Sequence, residues 1–242
     1  MLVYPLGMLA AQAFRGTGSG FDAMMFLALR NSVLLSAAVA VLSTFIGLFP
    51  AWALARTRVP GAPFVRVALT LPLTFSGVVV GFLAILMLGR VGFVPRMTER
   101  LFGMPLLSGA AYGALGLLLA YLYFEIPRAA LAMESAFRQI DPIYDAAAAT
   151  LGAPPSVRLR RLILPLTLPA LLSTLLITFS VSLGSFGVAL MLSRRLTLLP
   201  VEIYTAFTGL LDDRRAAIMS LLLIVIALLA SAAARAVRRP HA

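Results

Sequence analysis

Long stretches without a charged residue alternate with short polar ones along this chain. Residues 31–55, 67–89, 101–124, 162–193 and 216–234 hold no Asp, Glu, Lys or Arg. A helix needs about 20 residues to cross the hydrocarbon core of a bilayer, so each run is long enough to span it. The runs lack the two-residue alternation of a membrane strand. In lipid, a lone segment can satisfy its own backbone only as a helix. The pattern therefore predicts an all-α, polytopic membrane helix bundle of five or six transmembrane helices. The sixth candidate, residues 1–14, is apolar but short. It reads as a signal-peptide core, a truncated first span or a short first helix, and the lack of a basic start and of a cleavage site favours a short or truncated span. Pro50, Pro72, Pro165 and Pro169 lie in or beside the runs, where proline bends helices.

Composition agrees with lipid as part of the solvent. The chain is 61% hydrophobic and 12% charged, against about 25% charged in soluble domains. It has no cysteine, which excludes disulfides, thiolate metal sites and a cysteine nucleophile. Every basic residue is arginine, so no P-loop lysine exists and the chain does not hold ATP in that way. The net charge of +11 comes from arginines at the ends of apolar runs, where they meet headgroups and fix topology. They are not interleaved with aromatics, and no nucleic-acid partner is expected. The one histidine, His241, sits on a polar tail, and no metal site is expected. Arginine counts favour the side of the 134–165 loop only narrowly, so orientation rests on that loop.

Residues 134–165 read ESAFRQIDPIYDAAAATLGAPPSVRLRRLILP. Asp141 followed by Pro142 is a helix start, a side-chain cap and then proline at the first helical position. Residues 143–151 form a short helix of mostly small residues. Gly152 ends it, and Pro154 and Pro155 prevent its continuation. A basic stretch, 158–161, leads into the next span. Such a helix is too poor in apolar bulk to build a core, but it fits a groove on another protein.

The segment resembles the signature loop of the membrane permeases of binding-protein-dependent ATP-binding-cassette importers. That pattern is Glu-Ala-Ala, three residues, Gly, nine residues, Ile, one residue, Leu-Pro. Ala146-Ala147-Ala148, Gly152 and Leu162-Ile163-Leu164-Pro165 fall at those spacings. Ala146 stands in the glutamate position and Leu162 in the isoleucine position; Asp145, one residue earlier, could supply a negative charge. Asn31-Ser32, Ala53-Leu54-Ala55-Arg56 and Phe124-Glu125-Ile126-Pro127 are similar to the same family. Ser182-Leu183-Gly184-Ser185-Phe186-Gly187 resembles a stretch of oxyanion permeases and their relatives, the group that moves molybdate, sulfate, ferric iron, thiamine or polyamines, and the sequence does not choose among these substrates. The resemblance implies the transmembrane fold of a type I importer, one permease domain over residues 1–242, and a bacterial inner-membrane location. It implies that Asp145, Ala146, Ala147, Ala148, Gly152, Leu162, Leu164 and Pro165 couple the chain to a cytoplasmic ATPase dimer. It further implies a second permease subunit, identical or paralogous, and an extracytoplasmic solute-binding protein. ATP and Mg would be bound by the partner ATPase, with no cofactor and no catalytic residue in this chain.

Polar residues within spans are the candidates for a substrate path: Ser76, Thr178, Ser182 and Ser185. Ser and Thr in spans also bond their own helix or glue neighbouring helices. Glu125 lies three residues before Arg128, a spacing at which an ion pair accounts for it. Residues 199–207 are amphipathic and suit a helix along the outer surface. A secondary transporter or channel would carry ionisable groups at mid-span, and an intramembrane protease a catalytic dyad or metal motif. The runs supply neither.

Overall fold

In the computed structural model, which describes residues 7–9, 13, 22–57 and 60–238, the described residues form helices and turns without strands. The order is α1 (Ala23–Arg56), α2 (Ala62–Thr74), α3 (Gly77–Leu88), α4 (Phe93–Phe102), α5 (Ala114–Arg138), α6 (Pro142–Thr150), α7 (Pro155–Arg158), α8 (Leu164–Leu183), α9 (Phe186–Leu192), α10 (Leu199–Thr208) and α11 (Asp213–Arg238). A π turn, Leu159–Ile163, joins α7 to α8. Five segments are long and apolar enough to cross a membrane: Ala23–Arg56, Gly77–Phe102, Ala114–Arg138, Pro155–Leu183 and Asp213–Val237. The candidate first span at 1–14 lies largely outside the described residues, and His241 lies wholly outside them.

One face of α1 is built for close packing. Ala28, Ser32, Ser36, Ala40, Ser43, Gly47 and Ala51 recur every three or four residues, and all are buried. Phe26, Leu34, Phe45, Phe49 and Trp52 point the other way and are exposed. Between apolar helices in lipid the attraction is close packing, which small residues permit. Contact with α5 is tightest at Gly47, where a Cβ would fall 2.9 Å from the Ala130 nitrogen and 3.2 Å from the Ile126 oxygen. Farther along, Met25 and Ala28 pack with Leu199, Ala206, Ala216 and Met219 of α10 and α11. The polar pair Asn31-Ser32 pins the start of α10. Ser32 Oγ accepts from the Leu199 N–H at 2.7 Å, and Asn31 Nδ2 donates to the Thr197 carbonyl at 3.1 Å.

Three apolar runs are divided differently from their reading in the sequence. The run 67–89 is two helices, because Phe75 and Ser76 are both extended and Ser76 caps α3 by accepting from the Val79 N–H. The run 162–193 breaks at Gly184-Ser185. The run 101–124 is displaced: its first part is turns, with positive φ at Gly103, Leu107 and Gly109, and α5 extends instead to Arg138. Its charged residues do not stop it, because they neutralise each other along one helix. Glu125 pairs with Arg128 at 2.7 Å and Glu134 with Arg138 at 2.9 Å.

Glu134 also ties α5 to α2. Its Oε1 accepts from Arg66 at 2.8 Å, while Arg138 donates to the Leu54 carbonyl of α1 and Arg56 to the Ile140 carbonyl. This clasp closes the face of the bundle that carries the 139–154 loop. Glu134→Ala is expected to lower stability by about 1–2 kcal/mol, the low end for hydrogen bonds to charged groups, since the arginines are partly exposed and screened. Thermal unfolding of the detergent-solubilised chain checks it, and an unchanged midpoint would show the clasp to be idle.

Candidate functional site

The 139–154 loop forms as its residues dictate. The Asp141 carboxylate accepts from the Ile143 N–H at 2.9 Å, and Pro142 occupies the first position of α6. At the other end Gly152 adopts φ 77°. Its N–H donates to the Ala149 carbonyl at 2.9 Å and the Ala153 N–H to the Ala148 carbonyl at 3.0 Å. That pair of bonds is a Schellman closure, which needs a left-handed residue where glycine stands. Arg158 then reaches back to the Asp145 carboxylate at 3.1 Å. An isolated helix of this length is marginal in water, so these caps and the clasp are what hold it.

No residue of α6 is buried. Ala146 and Ala147 are exposed, Ala148 and Asp145 half-buried, and Gly152 exposed. Ile143, Tyr144 and Leu151 are exposed as well, Leu151 to 87%. A capped helix with an open small-residue surface and apolar residues at its edges is a shape suited to docking. Asp145 does not replace the missing glutamate as a free charge, because Arg158 engages it. Beyond the loop Leu162 is half-buried, while Leu164 and Pro165 are exposed at the foot of α8. The π turn precedes Pro165 for a steric reason. Proline has no N–H and its ring crowds the carbonyl four residues earlier, here Arg161, and the wider turn lets the Leu164 N–H bond to the Leu159 carbonyl instead.

The candidate path residues fall into two groups. Thr178 and Ser182 are buried within the chain, and Ser182 Oγ has no hydrogen-bond partner among the described residues. Ser76, exposed, and Ser185, half-buried, occupy the two helix breaks. Those breaks are neighbours. A Cβ on Gly187 would fall 2.8 Å from the Val78 nitrogen, and one on Gly77 3.2 Å from the Val188 nitrogen, so α3 and α9 touch backbone to backbone. The carbonyl freed at Ser185 accepts from Tyr121 Oη at 2.8 Å. Sequence reading missed this tyrosine, because an aromatic in an apolar run gives no sign that its hydroxyl has a partner.

Comparison with known proteins settles what kind of bundle this is. A family described as "binding-protein-dependent transport system inner membrane component" matches residues 5–239. The chain belongs to this family. It is an ABC importer permease of the inner membrane, as the loop spacing implies. The molybdenum transport system permease protein ModB of Mycobacterium tuberculosis is 35% identical over 181 residues, 73% of this chain and 67% of that protein. ModB of Escherichia coli (strain K12) is 34% identical over 161 residues, 65% of this chain and 69% of that one. A solved bacterial ABC transporter that imports the acidic polysaccharide alginate shares the permease fold at a TM-score of 0.78 and 20% identity, covering 99% of this chain and 91% of that one. A chain of the inward-facing MetNI methionine ABC transporter aligns at 0.59 and 18% identity over 91% of this chain and all of that one.

Proposed function

We propose that this permease forms the translocation path of an ATP-driven oxyanion importer and is coupled by α6 to a separate cytoplasmic ATPase. The observation that carries the reading is α6 itself, a helix closed at both ends yet burying nothing within its own chain. The coupling surface is Ala146, Ala147, Ala148 and Gly152, edged by Ile143, Tyr144 and Leu151. Leu162, Leu164 and Pro165 connect it to α8. ATP is bound with Mg and hydrolysed on the ATPase dimer, and this chain contributes no catalytic residue. A second permease subunit completes the path, and an extracytoplasmic binding protein delivers the solute. The family description and the alginate importer solved with its periplasmic protein support that last partner. The identity to ModB proteins supports molybdate as the substrate. Ser76 and Ser185, at adjoining helix breaks, are the path residues best placed to meet it.

Affinity-tagged chain purified from its native membrane is expected to bring down a distinct ATPase. Proteoliposomes holding that complex and its binding protein should take up radiolabelled molybdate only with ATP inside. Uptake without the ATPase would overturn the coupling assignment, and ATP-dependent uptake of a cation alone would overturn the substrate.

A further inference from the structure

On the face of the bundle opposite α6, a cleft of about 460 Å³ is lined by Arg90, Tyr112, Arg194 and Arg195 around the bare backbone of Gly89, Gly92 and Gly109. All three arginines are exposed. No acidic residue lines the cleft, and none of the three guanidinium groups has a carboxylate within ion-pair distance among the described residues. Arg215, on the same face, does have such neighbours, with Asp22 at 3.8 Å and Glu202 at 4.0 Å. Arginine on this face also runs against the topological preference for positive charge on the α6 side. Three uncompensated cations around one depression therefore oppose both their mutual repulsion and the orientation of the chain.

The walls are held in place. Ser108 Oγ donates to the Arg90 carbonyl at 3.2 Å, and the Arg194 guanidinium lies 5.1 Å from the centre of the Tyr112 ring. The stack orients Arg194 without neutralising it. Planar guanidinium forks match the oxygens of tetrahedral oxyanions in pairs, which an ammonium cannot do.

We propose that this cleft is an oxyanion-binding site at the extracytoplasmic mouth of the permease. The oxyanion is either free solute on its way into the path or the phosphate of a lipid headgroup. The inference shares the orientation of the proposed importer but not its ATPase, so binding by the permease alone succeeds or fails independently of coupling.

The full chain in phosphatidylcholine nanodiscs is titrated with sodium molybdate and with sodium sulfate by calorimetry. In parallel, native mass spectrometry of the detergent-purified chain counts retained phosphatidylglycerol. Saturable oxyanion binding that weakens at least tenfold in R90Q/R194Q/R195Q assigns the site to free solute. Retained phosphatidylglycerol that the triple variant loses assigns it to the headgroup. R194K, which keeps the charge and folds with the least disturbance, should weaken whichever ligand is found, since it loses the fork. The proposal fails if wild-type chain shows neither ligand. It fails equally if R96Q/R100Q, on α4 outside the cleft, weakens binding as much as the triple variant, or if R194K binds as wild type does.

Discussion

Gly152→Val is expected to leave the permease inserted and folded while cutting ATPase co-purification and uptake at least tenfold. The substitution is informative because nothing lies within 4 Å of a Cβ built on Gly152. Steric clash therefore does not enter, and the effect is conformational. A left-handed backbone costs an ordinary L residue roughly 1–2 kcal/mol and a β-branched one more. The Schellman bonds from Gly152 and Ala153 depend on that conformation. Since α6 contributes nothing to the core, losing its end disturbs docking and spares the bundle. Gly152→Asn, which tolerates the left-handed region better, should retain more coupling than Val. If Val and wild type pulled down equal ATPase, α6 would not be the docking element.

The second large effect is the converse. Gly47→Ala should lower stability by about 1–3 kcal/mol, the usual range for overpacking, and Gly47→Leu should prevent accumulation of folded chain. The neighbours at 2.9 and 3.2 Å are backbone atoms of Ala130 and Ile126, which cannot turn aside as a flexible side chain would. α1 and α5 must separate, and the small-residue face loses contact along its length. Size-exclusion profiles and melting curves in detergent measure this. A Gly47→Leu protein that melts like wild type would show that the α1–α5 contact is not what holds the bundle.

These two glycines mark how far the sequence could be read. Gly152 was legible because its meaning is local: a small-residue helix, a glycine, then two prolines permit few other structures. The Asp141-Pro142 start was legible for the same reason. Gly47 was not, since its importance comes from Ala130, more than eighty positions away. The division of 67–89 and 162–193 also escaped reading, because an unbroken apolar run looks the same whether its helix continues or stops. Only Ser76 as a cap and Gly184 as a stop hinted otherwise. The start of α5 was hidden for a similar reason, since residues 103–113 are as apolar as a span yet fold as turns. Its far end was partly legible: Glu125 stands three residues before Arg128, the spacing of the ion pair that forms, and Glu134 pairs likewise with Arg138. Among the candidate path residues, Ser76 and Ser185 gain meaning from adjacency that no spacing along the chain encodes.

That adjacency has a mechanical result. With Gly187 set against Val78 and Gly77 against Val188, no layer of side chains cushions the first turns of α3 and α9. Each of these helices is severed from its own inner half at the same level. A tilt of either helix about its break would therefore press directly on the backbone of the other.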